Sequence, residues 1–213
     1  MQRRALLLHF AALPALLAAP AALAQPALQP PPQDAADIAR VEAYLNGIRT
    51  LQAHFLQVAP DGQLSQGTAW LERPGHLRFQ YDPPNPYLLV TGYGQLIFED
   101  RSIKQVSEIP LSRTPLGILL ADHVSLSGGI TVTGIRRLPG QIQLTVVRTA
   151  SPGDGSLTLV FSENPLALRQ WTVVDAQRRA THVTLYNVET GVSLNPKLFE
   201  FVDPQQGGVG GGG

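Results

Sequence analysis

Trp70-Leu71-Glu72-Arg73-Pro74-Gly75-His76-Leu77-Arg78-Phe79-Gln80-Tyr81 is the stretch that decides the fold. Side chains alternate along a strand, so Leu71 and Arg73 share one face while Trp70 and Glu72 share the other. Pro74-Gly75 supplies a tight turn, and Leu77 and Phe79 begin a second apolar strand.

The same period of two recurs on both sides. Upstream, Leu51, Ala53 and Phe55 alternate with Gln52 and His54. Downstream, strands are expected at 87–91, 95–99, 102–108, 130–137, 141–149, 156–162, 167–174 and 180–189, with 64–73 and 76–81 around the opening stretch. Asp61-Gly62, Gly92-Tyr93-Gly94, Pro139-Gly140 and Asn164-Pro165 are among the turns between them. Connections this short join antiparallel neighbours, since parallel ones need a dozen or more residues. A mainly β fold follows: a long antiparallel meander of about ten or eleven strands, which must curl because flat sheets of that size are unfavourable.

Helices are few. Asp34 reads as an N-cap, and Ile38, Val41, Leu45 and Ile48 form one apolar stripe on a helix ending near Gly47. Arg40, Glu42 and Asn46 occupy its other face. Leu116–Leu120 reads as a second short helix, and Leu198-Phe199-Glu200-Phe201 as a last docking strand. A curved sheet roofed by so few helices leaves an apolar cavity beneath the roof, of the kind that takes lipid.

Residues 1–24 have the form of a cleavable signal peptide: Arg3 and Arg4, an apolar run, then Ala22-Leu23-Ala24 before Gln25. The run is broken by His9 and Pro14 and is shorter than the ~20 residues that span a bilayer. Residues 25–33 form a Pro-rich leader and 206–213 a Gly-rich tail expected to be disordered. With 0 cysteines there is no disulfide framework and no thiol after the signal to carry a lipid anchor. The mature protein is therefore expected to be exported, soluble and a single domain over 34–205.

Sixteen basic side chains balance 16 acidic ones, which leaves no electrostatic footprint for nucleic acid. His54, His76, His123 and His182 are far apart in sequence, and no metal site is expected. There is no nucleophile elbow or phosphate loop. Gly92-Tyr93-Gly94 sits between strands and reads as a hairpin turn, and Glu99-Asp100 as acids facing water. No catalytic residue and no cofactor is expected.

An ordered set of short motifs runs through the chain: Phe55-x-Gln57, the run Gly67 to Gly75, Leu77-Arg78-Phe79-x-Tyr81, Pro84, Gln105-Val106, Thr114-Pro115, and Phe199-x-Phe201 with Pro204. Over roughly residues 38–205 this set resembles LolA, the family of periplasmic outer-membrane lipoprotein carriers. The resemblance implies an unclosed β-barrel with a lid of short α-helices over a hydrophobic cavity. It implies a chaperone that binds the acyl chains of lipoproteins released by an inner-membrane ABC transporter and delivers them to the outer membrane, working as a monomer. An outer-membrane receptor is left open as a further partner. Arg73 stands where the family has an arginine that latches the lid through backbone carbonyls. Phe55, Leu71, Leu77, Phe79, Leu116 and Leu119 are the expected cargo-binding residues.

Read without the resemblance, Arg73 is a surface arginine beside a turn, with Glu72 or another acid as an exposed partner, and the apolar strand residues are core. The chain departs from the family at Gly92-Tyr93-Gly94, where Asp-Gly is usual, and at Ile97 and Glu99, where aromatic residues are common. A periplasmic protein that carries or senses another lipid or a glycolipid is the alternative on the same scaffold. A regulatory protein that recognises lipoproteins would need a second domain.

Overall fold

The computed structural model describes residues 32–202. The signal peptide, all but the end of the Pro-rich leader, and the Gly-rich tail lie outside the described residues. One α-helix, α1 (Pro32–Gly47), precedes eleven strands. These are β1 (Thr50–Val58), β2 (Leu64–Glu72), β3 (His76–Tyr81), β4 (Tyr87–Gly92), β5 (Gln95–Asp100) and β6 (Gln105–Pro110), then β7 (Ile130–Leu138), β8 (Gln141–Arg148), β9 (Gly155–Glu163), β10 (Leu166–Asp175) and β11 (Ala180–Thr190).

They form one antiparallel sheet in the order β6-β5-β4-β3-β2-β1-β11-β10-β9-β8-β7. The expected meander is thus two meanders joined where β1 pairs with β11, with Phe55 opposite Leu185. β6 and β7, neighbours in sequence, are the two edges, so the sheet curls without closing. The segment 111–129 crosses between those edges. Its expected Leu116–Leu120 helix is instead two 3-10 turns, Leu111–Arg113 and Pro115–Ile118. Pro110, Pro115 and Gly117 leave no room for a helical run that bonds i to i+4. The helical roof is therefore α1 plus short 3-10 turns.

Three boundaries differ from the sequence reading. α1 begins at Pro32, which puts Asp34 inside the first turn rather than at the cap. β6 begins at Gln105 because 101–104 is a turn, with Lys104 at φ 55°. The expected C-terminal strand is a 3-10 turn, Pro196–Phe199, capped by the Asn195 side chain. It docks on the outer face of β3 and β4: the Phe199 ring lies 5.3 Å from His76, and Arg78 Nη1 donates to the Leu198 carbonyl at 2.9 Å.

The core sits on the concave face. Ile142, Leu144 and Val146 of β8 and Leu157, Leu159 and Phe161 of β9 are fully buried there. Gly67 shows why one position must lack a side chain: a Cβ there would lie 2.0 Å from the Gln80 carbonyl oxygen. It stands in register between Phe55 and Tyr81, whose rings meet at 5.1 Å across it.

Tyr81 is buried, and its hydroxyl donates to Gln57 Oε1 at 2.9 Å. Burial is the main cause that pushes its pKa up to about 12, opposed by the Gln57 bond. An unfolded tyrosine ionises near 10. The folded chain thus holds this proton more tightly, and the associated stability is complete below pH ~10 and lost as pH rises towards ~12. Two units correspond to roughly 2–3 kcal/mol. Urea unfolding as a function of alkaline pH should show that loss, and Tyr81→Phe should flatten it; an unchanged slope in the variant would refute the assignment.

Candidate functional site

The roof and the concave face enclose two apolar spaces. The first is a closed cavity of about 20 Å³, lined by residues that include Leu45, Leu71, Arg73, Leu77, Leu119 and Trp171. That is scarcely more than one water occupies, so nothing of cargo size fits while the roof is down. The second is an open groove of about 540 Å³, within the usual range for small-molecule sites. Phe79, Leu89, Phe98 and Trp171 contribute to its floor, Thr114, Pro115 and Leu116 form one wall, and Arg113, Asp154, Asp175 and Arg179 stand at its polar margin. Trp171 borders both spaces.

Arg73 continues the inward row of Ala69 and Leu71 just past the end of β2. It is only 6 % exposed. Its Nη1 donates to the Leu45 carbonyl in the last turn of α1, while its Nε is buried without a partner. No carboxylate pairs with it among the described residues. Burial, and after it the positive charge of Arg49, hold its pKa below the usual arginine value; an arginine nonetheless stays protonated. The last carbonyls of a helix lack internal partners and carry the negative end of its dipole. α1 has no basic residue of its own in that turn, so Arg73 supplies the complement from the sheet.

The outer face of α1 does more than meet solvent. Asn46 exchanges two bonds with the backbone of Val124, at 2.8 and 2.9 Å, and Glu42 accepts from the Leu126 amide at 2.6 Å. Arg49 reaches the Asp122 carboxylate at 3.0 Å. These bonds make α1 and the later part of the crossover a single roof. At the other end of α1, Arg137 on edge strand β7 pairs with Asp34 and Asp37 at 2.6 and 2.7 Å.

Among the residues singled out in the sequence, Leu71, Leu77, Leu119 and Arg73 line the closed cavity, and Phe79 and Leu116 the open groove. Phe55 lines neither: it is wholly buried between Phe79 and Tyr81 as core. Trp70 points outward, where its indole donates to Gln52 at 3.0 Å. Glu99, expected in water, is buried beside Arg101 at 3.1 Å, because it lies within β5 rather than at the turn and stands opposite the buried Leu88 of β4. Each described histidine has an ordinary partner, such as the Tyr186 ring for His54 and Thr172 for His182. Trp171 is the principal site residue that the sequence reading did not single out.

The family model described as "Outer membrane lipoprotein carrier protein LolA" matches residues 46–202. The chain belongs to the LolA family. A LolA relative from Methylococcus capsulatus, named outer-membrane lipoprotein carrier protein, is 30% identical over 174 residues, covering 78% of this chain and 83% of its own. A protein of the same name from Pseudomonas aeruginosa is 27% identical over 193 residues, covering 86% and 92%. Among solved structures, a LolA superfamily protein from Nitrosomonas europaea superposes with a TM-score of 0.44 at 10% identity, covering 77% of this chain and 97% of its own. LolA proteins are carriers, and this chain is a binding protein rather than an enzyme.

Proposed function

We propose that this protein is a periplasmic carrier that takes the acyl chains of lipoproteins leaving the inner membrane and delivers them to the outer membrane. The observation that carries the reading is Arg73, buried and with its side chain bonded, among the described residues, only to the Leu45 carbonyl, under a roof that covers a largely apolar concave face. Each buried methylene contributes about 0.8 kcal/mol, so a long acyl chain bound at full strength would not be handed on. A roof that closes on the empty cavity opposes loading, because the apparent affinity scales with the fraction of open protein. Arg73 sets that fraction. The relatives' names, and family membership across 46–202, support lipoproteins as the cargo.

The same reading assigns residues 1–24 as the export signal and an inner-membrane ABC transporter as donor. An outer-membrane receptor would complete the route. No helix among the described residues is long and apolar enough to cross a membrane.

Mass spectrometry of what co-purifies with the tagged mature protein from its native periplasm tests the proposal. Triacylated lipoproteins are the expected cargo. Free lipid or glycolipid would transfer the function to the alternative reading, and an empty protein that also rejects a fluorescent fatty acid would refute both.

A further inference from the structure

Arg73 has a counterpart on the other half of the sheet. Ile142, Leu144 and Val146 of β8 point inward and are fully buried, and the next position in that alternation is Arg148. Its Nη2 donates to the Thr114 carbonyl at 2.9 Å and lies 3.5 Å from the Leu111 carbonyl. Its Nε, like that of Arg73, is buried without a partner. Neither arginine has a carboxylate partner among the described residues; each spends its charge on backbone carbonyls of a segment that the sheet itself does not pair.

The two arginines hold different parts of the roof. Arg73 holds the end of α1, whereas Arg148 holds the first turns of the crossover, whose Thr114, Pro115 and Leu116 wall the open groove. Gly117 is required for that contact. A Cβ at this position would stand 2.6 Å from the Leu111 oxygen and 2.8 Å from Arg148 Nη2. The later crossover, at Val124 and Leu126, is bonded to α1 instead.

We propose that Arg148 is a second positioning residue, which fastens residues 111–118 and thereby fixes the wall of the open groove independently of Arg73. When α1 and residues 122–126 move together, the Arg148 contact keeps the groove wall in place. The consequence for acyl chains rests on the carrier reading; the fastening itself stands without it.

Amide hydrogen exchange on the empty mature protein tests the fastening. Arg148→Met removes the donors at similar bulk, and Gly117→Ala wedges the contact apart while keeping the arginine. In both, the Gly117 and Leu119 amides should exchange about tenfold faster, as expected for losing a bond to a charged group. The Val124 and Leu126 amides should be unchanged, and Arg148→Lys, which keeps one charged donor, should restore much of the protection. Unchanged exchange at Gly117, or equal acceleration at all four amides, would overturn the proposal. A fluorescent fatty acid should also enter and leave both variants faster than the wild type; equal rates would overturn the role at the groove. Failure of the wild type to bind that probe would count against the carrier reading alone, since the exchange result does not depend on cargo.

Discussion

Arg73→Leu is expected to load acylated cargo and then release it at least about tenfold more slowly than the wild type, with no loss of thermal stability. Two effects act in the same direction. The closed roof loses a bond from a charged donor, worth on the order of 1.5–3 kcal/mol, partly offset because the unpartnered Nε no longer has to be buried. The loaded cavity gains an apolar wall where a guanidinium would have faced the acyl chain, and burying an unpaired charge against hydrocarbon is costly. At about 1.4 kcal/mol per factor of ten, the balance corresponds to the stated change. Replacing a buried charge by a well-packed hydrophobic residue of similar volume is often neutral or stabilising, so the melting temperature should hold or rise. Transfer from the preloaded protein to acceptor vesicles, followed alongside thermal unfolding, separates this from simple damage. Wild-type transfer rates in the variant would rule out the latch.

Why the sheet was legible and the roof was not follows from range. Ile142, Leu144 and Val146 announce their face by period alone, and Gly92-Tyr93-Gly94 forms the hairpin its residues suggest, with Tyr93 and Gly94 at φ 50° and 75°. Those signals are local. The pairing of β1 with β11, which makes two edges out of one meander, depends on residues more than a hundred positions apart. Asn46 and Glu42 have the polarity of a solvent face, and only the crossover's position reveals that they bond to backbone there. Arg148 could have been found, since the alternation that makes Val146 inward extends to it. Trp171 could not be placed that way. β10 carries a bulge between Leu168 and Gln170, with Arg169 as the extra residue, so two buried inward side chains stand three positions apart and the period of two breaks.

That bulge aims Trp171 between the closed cavity and the open groove, which makes Trp171→Ala the most informative truncation. Trp171 is 6 % exposed and meets the Phe79 ring edge-on at 6.0 Å. Removing such a side chain costs about 3–5 kcal/mol, or a fall in melting temperature of roughly 6–20 °C at this chain length. Phe55→Ala should cost a similar amount, since Phe55 is fully buried. The two variants differ in what the lost volume joins. Phe55 borders neither space, so its loss leaves a sealed void in the core. The loss of Trp171 merges the two spaces into one apolar channel reaching from the groove towards Arg73, and apolar voids of that kind accept hydrocarbon. A saturating fatty acid should therefore recover more of the lost melting temperature in Trp171→Ala than in Phe55→Ala, because stabilisation by ligand follows its affinity for the folded state. Equal recovery would mean that the groove and the latched cavity are not parts of one binding site, and that acyl chains reach the Arg73 end only by lifting α1.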